Sequence, residues 1–183
     1  MAEPRREVLR RSTHADGSVR LRHRPAALLI TLYSRLMTSP ETATDAPVTF
    51  SADVERIDRD RVHRWLSEEA YWARGRTRAH QDAAIDASRN YGVYDDATGA
   101  QLGYARVVTD GVGFAWLCDV FVDPSARGRG IGKTLLGGVL AELDALGLKR
   151  MLLATADAQE LYRRFGFTEL SGPTVWMARS APA

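Results

Sequence analysis

The residues with the most to say about chemistry lie between Phe114 and about Leu146. An apolar run, Phe114–Val122, carries Asp119 late in its length and is stopped by Asp123-Pro124, whose ring fixes φ and lacks a donor. Glycine and cation follow in Arg127-Gly128-Arg129-Gly130-Ile131-Gly132-Lys133, and a helical pattern then runs over residues 133–146. A strand that passes through glycines into a helix start aims several free backbone N–H groups, and the positive end of the helix dipole, at one point. Such a point holds an anion, most often phosphate. Three nucleotide motifs compete for it, and spacing separates them. A P-loop needs a glycine where Arg127 stands, five positions before Gly132-Lys133-Thr134. A dinucleotide fingerprint fits Gly128 and Gly130 but puts Lys133 in place of its third glycine, which would hold the helix off its strand. The spacing that fits is Arg127-x-x-Gly130-x-Gly132, preceded by Val122-x-Pro124.

The elements that must position this loop can be read on both sides of it. Residues 48–51 form a short first strand, and Asp58 can cap a helix whose apolar positions Val62, Trp65, Leu66, Ala70 and Tyr71 recur at helical spacing. A basic loop, residues 74–78, separates it from a second helix over residues 79–88, where Ala83, Ile85 and Ala87 are available for packing. Residues 91–94 and 102–108 read as strands of a hairpin closed by Asp95-Asp96-Ala97-Thr98-Gly99, and Thr109-Asp110-Gly111 turns into the strand that ends at Val122. After the long helix, residues 150–154 give a further strand. A short helix capped by Thr155 or Asp157 and ended by Gly166 follows, and Phe167 begins another strand. Successive antiparallel strands, a crossover helix and a last strand make the class α+β, with the switch at the glycine turn.

The Arg127-x-x-Gly130-x-Gly132 motif, with its strand before and helix after, resembles the pyrophosphate-binding motif of the GNAT superfamily of acetyl-CoA-dependent N-acetyltransferases. A second stretch, Leu161-Tyr162-x-x-x-Gly166-Phe167, is similar to the element that follows the fifth strand in that superfamily, whose tyrosine lies beside the CoA sulfur. The resemblance covers residues 48–177, although the connection 155–159 looks shorter than in many relatives. It implies a mixed, mostly antiparallel central sheet flanked by helices, with acetyl-CoA as co-substrate and no metal. It also implies that backbone groups around Val120, Phe121 and Val122 meet the pantetheine and polarise the thioester carbonyl. Arg127, Gly128, Arg129, Gly130, Ile131, Gly132 and Lys133 would hold the pyrophosphate mainly by backbone N–H, with the three cations adding charge.

A thioester is electrophilic enough to be attacked directly by an amine held in line, so no covalent nucleophile is needed. Two proton steps remain, one from the attacking ammonium and one to the departing thiolate. Tyr162 is the candidate acid; its alternative is a packing tyrosine beside Phe165 and Phe167. Asp119 is the candidate base, directly or through water; its alternative is a strand-end carboxylate that orders a loop, since a carboxylate needs desolvation to be a useful base near neutrality. Asp157 reads better as a helix cap. For the acceptor, Glu69, Tyr71 and Trp72 lie at the end of the first helix, where the resemblance implies a pocket; carboxylate and aromatic faces suit a cation. A solvated acidic helix face with two core aromatics is the alternative. Cys118 reads as a buried strand cysteine, with no histidine beside it to activate a thiolate. His63 and His80 lack metal-ligand spacing.

The 183 residues, 45% of them hydrophobic, suffice for one cored domain plus an extension. A formal charge of +2, from 25 basic and 23 acidic residues, implies no general polyanion surface, and no aromatic-basic interleaving suggests nucleic acid. A single cysteine excludes an internal disulfide and suits a reducing compartment, so the expectation is a cytoplasmic protein. Residues 1–46, with eight arginines against five acidic residues, read as a loosely ordered extension carrying one short helix near residues 25–37, and residues 47–183 as the acetyltransferase domain. The apolar run 26–33 is far short of the ~20 residues of a membrane span, and no small-residue cleavage site follows it. The polar stretch from Thr38 to Asp45 makes Met37 a candidate natural start. The expected activity is transfer of an acetyl group to a primary amine of a small molecule or protein, by a monomer or homodimer with no nucleic-acid or membrane partner. A CoA-binding regulatory module with little turnover is the alternative.

Overall fold

The computed structural model describes residues 47–172 and 175–179. The expected extension 1–46, its short helix and the candidate start at Met37 lie outside the described residues. Five strands form one sheet in sequence order: β1 (Val48–Ser51), β2 (Arg89–Asp95), β3 (Gln101–Thr109), β4 (Phe114–Val122) and β5 (Arg150–Leu152). The first four are antiparallel, whereas β5 runs parallel to β4. A parallel neighbour requires a long crossover, and the helix over Ile131–Asp144 supplies it. Three shorter helices precede and follow it, so in chain order they are α1 (Arg59–Arg64), α2 (Arg78–Asp86), α3 (Ile131–Asp144) and α4 (Gln159–Arg163). The architecture is α+β, a mostly antiparallel sheet flanked by helices.

Each face of the sheet has its own apolar cluster. On one, α3 lays down Ile131, Leu135, Leu136, Val139 and Leu143, an i, i+4, i+5, i+8, i+12 stripe, against inward residues such as Tyr91, Val107 and Leu117. Contact is close where Gly138 passes β1: a Cβ there would lie 2.3 Å from the Phe50 ring. On the other face Val62, Trp65 and Leu66 pack with Ile85, Tyr104 and Phe121. Asp58 caps α1 by accepting from the Arg61 amide at 2.9 Å, and Thr77 caps α2 by accepting from the His80 amide.

The structure corrects the sequence reading at several places. In the second helix Ala83 and Ala87 are exposed, and Gln81 and Ile85 are the buried residues. Tyr71 does not continue the apolar stripe of the first helix: one π-helical turn, Trp65–Glu69, intervenes, closed by the Ala70 amide donating to the Trp65 carbonyl, and it leaves Tyr71 56% exposed. Phe167 begins no strand. Its amide donates to the Tyr162 carbonyl and its ring meets Tyr162 edge-on, so it belongs to the turn that ends α4, where Gly166 has φ +84°. β5 stops at Leu152 rather than residue 154, because beyond that point it no longer accompanies β4.

Candidate active site

The site is built around an irregularity in β4. From Ala115 to Cys118 the strand keeps register with β3, but Arg106 faces Cys118 while Tyr104 faces Phe121, so two residues of β4, Asp119 and Val120, stand opposite Ala105. That is a β-bulge. Asp119 has φ +51°, the one non-glycine residue with positive φ among the described residues, and aspartate is one of the few side chains that tolerates it. The extra residue inverts the alternation of faces. Leu117 belongs to the α3 face, whereas Phe121 is buried on the opposite face, stacked on Trp65 at 5.4 Å. Val120 and Val122 pack toward α3.

The other edge of β4 is open where the bulge acts. Pairing with β5 covers only Phe114 to Trp116. The Asp123 amide donates to the Leu102 carbonyl on β3, so alternation turns the Phe121 N–H toward β3 and those of Val120 and Val122 toward the side β5 has left. Phe121, expected to meet the pantetheine, is thus directed away from the open edge in both backbone and ring. Val120 and Val122 are the residues with groups to offer.

The glycine loop follows directly. Asp123 caps a short 3-10 turn by accepting from the Ser125 amide, and Gly128 and Gly130 take φ of +82° and +80°, which glycine alone adopts without strain. Gly130 is the N-cap of α3 and provides no side chain to satisfy its first amides. Its carbonyl accepts from Lys133 and Thr134, leaving the amides of Ile131 and Gly132 at the helix end available to an anion. The cations are less committed to that point than expected. Arg127 turns back, its Nε donating to the Val122 carbonyl at 3.3 Å and its guanidinium over the Phe121 ring, and Arg129 lies 3.9 Å from Asp95. Lys133 is exposed, and Ile131 is buried, so only its backbone can serve a ligand.

Gly132 shows how the parts converge. A Cβ built on it would stand 3.6 Å from Leu161 and 3.8 Å from Val122, so the end of β4, the start of α3 and the residue before Tyr162 meet around one small residue. Tyr162 is buried, edge-on to Phe167 at 5.9 Å, and its hydroxyl has no hydrogen-bond partner among the described residues. Burial, helped by the nearby Asp157 and Tyr71, pushes its phenol up to about 12. Tyr71 and Trp72 are both exposed and meet edge-to-face at 4.9 Å. The exposed Glu69 carboxylate has no partner among the described residues, and no contact joins it to Tyr162.

Asp119, expected as the base, is held otherwise. Its carboxylate is almost fully buried and accepts from Arg76 at 2.8 and 3.1 Å and from Arg106 at 2.7 Å. Burial alone would raise its pKa, but the hydrogen bonds and charges of the two guanidinium groups outweigh that and hold it below the ordinary carboxylate value. A carboxylate so paired is a poor proton acceptor, and its geometric work is to anchor the bulge. Neither arginine stood out in the sequence, because one lies 43 residues away in a basic loop and the other faces inward on β3. Cys118 is half-buried and burial pushes its thiol up to about 11, so it is protonated near neutrality. His63 holds the loop through a 3.0 Å contact between Nε2 and the Arg76 carbonyl. Among the described residues, no group of three or more His, Cys, Asp or Glu could hold a metal, and no helix is long and apolar enough to cross a membrane.

Comparison with known proteins agrees with this geometry. The model of the Acetyltransferase (GNAT) family matches residues 59–167. The curated "Putative acetyltransferase FG08082" of Gibberella zeae is 30% identical over 146 residues, 69% of this chain and 81% of that protein. A crystal structure described as a putative acetyltransferase belonging to the GNAT family, from Xanthomonas campestris pv. campestris, superposes with a TM-score of 0.69 at 43% identity, covering 74% of this chain and 94% of that one. Rv2747 of Mycobacterium tuberculosis, solved in complex with CoA, shares the fold with a TM-score of 0.57 at 21% identity, over 69% of this chain and 76% of that one.

Proposed function

This chain belongs to the acetyltransferase (GNAT) family, and on that premise we propose that it transfers an acetyl group from acetyl-CoA to a primary amine of a small molecule or protein by direct attack. One observation carries the reading: the open edge of β4 runs straight into a left-handed glycine loop and an uncapped α3 N-terminus, with Tyr162 next in sequence to a residue at the same convergence. A pantetheine arm lies along the edge as a further strand, its amides meeting the groups of Val120 and Val122. The diphosphate sits on the amides of Gly128 to Gly132. That the fold neighbour Rv2747 was solved with CoA is consistent with a CoA ligand for this fold.

The thioester carbonyl gains negative charge as the amine attacks, and a β4 amide next to the bulge stabilises it where it develops. Tyr162, protonated throughout the neutral range, donates to the departing sulfur, and the proton that the nitrogen loses as the amide forms goes to solvent, which restores the phenol. Asp119 is already tied to two arginines, so the ammonium gives up its proton to solvent before attack. Tyr71 and Trp72 form the exposed aromatic wall that receives the cationic acceptor, with Glu69 beyond them. A protein of this kind works in the cytoplasm, where acetyl-CoA is available.

The test is release of CoA thiol from acetyl-CoA with a panel of primary amines, run on wild type and Tyr162→Phe. Amine-dependent release that collapses in the variant supports the assignment. Tight acetyl-CoA binding with no release from any amine would instead leave a CoA-binding regulatory module.

A further inference from the structure

The loop that carries Tyr71 and Trp72 and the bulge that aims the Val120 amide are fastened to the same carboxylate. Arg76 closes that loop: its amide donates to the Ala73 carbonyl, the Gly75 amide donates to the Ser67 carbonyl, and Ala70 and Ala73 are buried beneath. Its guanidinium grips both oxygens of Asp119 and donates to Gln81 Oε1 at 2.9 Å. Arg106 donates through Nε to Asp119 Oδ2, the oxygen that also accepts from Arg76, and through a terminal nitrogen to Ser88 Oγ at 3.1 Å. Both arginine side chains are only 15% exposed and that of Asp119 3%. A lone buried carboxylate would need one cation, and a bulge residue at positive φ would need none.

We infer that Arg76 and Arg106 are positioning residues for acetyl transfer, which together hold Asp119 in its left-handed conformation and so fix the β4 bulge, while Arg76 ties the acceptor loop to the same point. The inference rests on the acetyl-transfer reading. Its physical content is that bulge geometry decides where the Val120 amide points. Even for an aspartate the left-handed conformation inside a strand is less favourable than extended backbone, so it persists while the surrounding contacts hold it. Releasing either arginine lets β4 relax toward regular register, which swings the Val120 N–H off the carbonyl. The diphosphate loop starts three residues beyond Phe121 at Pro124, with its own Asp123 cap, and stays as it was. The defect therefore falls mainly on turnover, with acetyl-CoA affinity changed only by what the Val120 contact contributes. Loss of Arg76 also loosens Tyr71 and Trp72, so its variant differs from that of Arg106 by a raised acceptor KM.

The experiment pairs kinetics with a spectroscopic readout of the carbonyl. Wild type, Arg76→Ala, Arg106→Ala and Arg106→Lys are loaded with acetyl-CoA labelled with 13C at the thioester carbonyl, and the carbonyl stretch is recorded by infrared difference. In wild type the band moves to lower frequency on binding. In Arg76→Ala and Arg106→Ala that shift shrinks by at least half and kcat falls at least tenfold, with acetyl-CoA Kd within about threefold of wild type. Arg106→Lys, which keeps one charged donor, recovers part of both. If an alanine variant fails to fold, the folded lysine variant, and Asp119→Asn at the same bulge, carry the comparison. Variants that retain the full carbonyl shift and wild-type kcat overturn the inference alone. A wild type that shows the shift but acetylates no amine overturns the catalytic reading while the positioning inference stands or falls on the band. A wild type that binds no acetyl-CoA overturns both.

Discussion

A phenol held at about 12 by burial is a donor at every pH where the protein works, and that fixes what Tyr162 can contribute. Removing its hydroxyl while keeping the ring against Phe167 isolates the proton step. Tyr162→Phe is expected to lower kcat about 100-fold, the lower range for general acid catalysis, with melting temperature and acetyl-CoA KM little changed. An equal fall in melting temperature and kcat would make it a packing residue only. Asp119 leads to a second expectation. Because two arginines hold its carboxyl below the ordinary value, that carboxyl does not titrate near neutrality. The fall of kcat/KM toward low pH then follows the ammonium of the acceptor itself. Exchanging one amine for another of lower pKa should move that limb by the same amount. A limb that stays fixed across acceptors would restore a base on the protein. The proposed role of Tyr162 comes from its local motif, and the structure adds that the residue is buried beside the junction. The role of Asp119 was not legible in the sequence, since a carboxylate read along the chain does not disclose partners 43 and 13 residues away.

The glycine loop and the crossover helix that it caps form one element. Its legibility was high because the requirement is local: left-handed φ at Gly128 and Gly130 demands glycine wherever the chain happens to be. Gly130→Ala is expected to cost about 1–2 kcal/mol of stability and to weaken CoA binding. Gly132→Ala differs, because its methyl would meet Leu161 and Val122 only at ordinary contact distance. It should leave the melting temperature unchanged and raise the acetyl-CoA Kd about tenfold, since the methyl enters space between β4 and α4 where the proposed site places the ligand. Equal thermal effects in the two variants would mean that Gly132 serves the fold. Gly138→Ala is the converse case, forcing a methyl into Phe50 for about 1–3 kcal/mol with KM untouched. That close approach was invisible in the sequence, where α3 offers Gly137-Gly138 with no sign of what crosses them. The bulge was equally hidden, since Asp119 sits in an apolar run that reads as unbroken alternation.

For the whole molecule, the apolar spacing predicted the sheet and the crossover, because strands and the long helix repeat with plain periods. It failed at Tyr71 and Phe167, where a π-turn and a helix-ending turn, each closed by a backbone bond across five residues, interrupt the plain periods. The two faces together bury Tyr91, Tyr94, Tyr104 and Tyr162, and burial raises the pKa of each, to about 12 for Tyr94. Unfolded tyrosines ionise near ~10, so their folded-state stability is full below that pH and is lost as pH climbs toward 12. On the acid side Asp95, Asp110, Asp119 and Asp123 titrate below their ordinary value, Asp110 at about 2. Their contribution is present above ~4 and disappears as pH falls through the shifted values. Urea midpoints should therefore be flat from about pH 5 to 9 and fall on both sides. A midpoint that rose between pH 10 and 12 would contradict the buried tyrosines. The central claim, that amides of the β4–α3 junction hold the diphosphate of coenzyme A, is tested most directly by following backbone amide resonances of the folded protein as CoA is added. The account predicts saturable shifts concentrated at Gly128, Gly130, Ile131 and Gly132. Shifts centred elsewhere, or none at all at millimolar CoA, would contradict it.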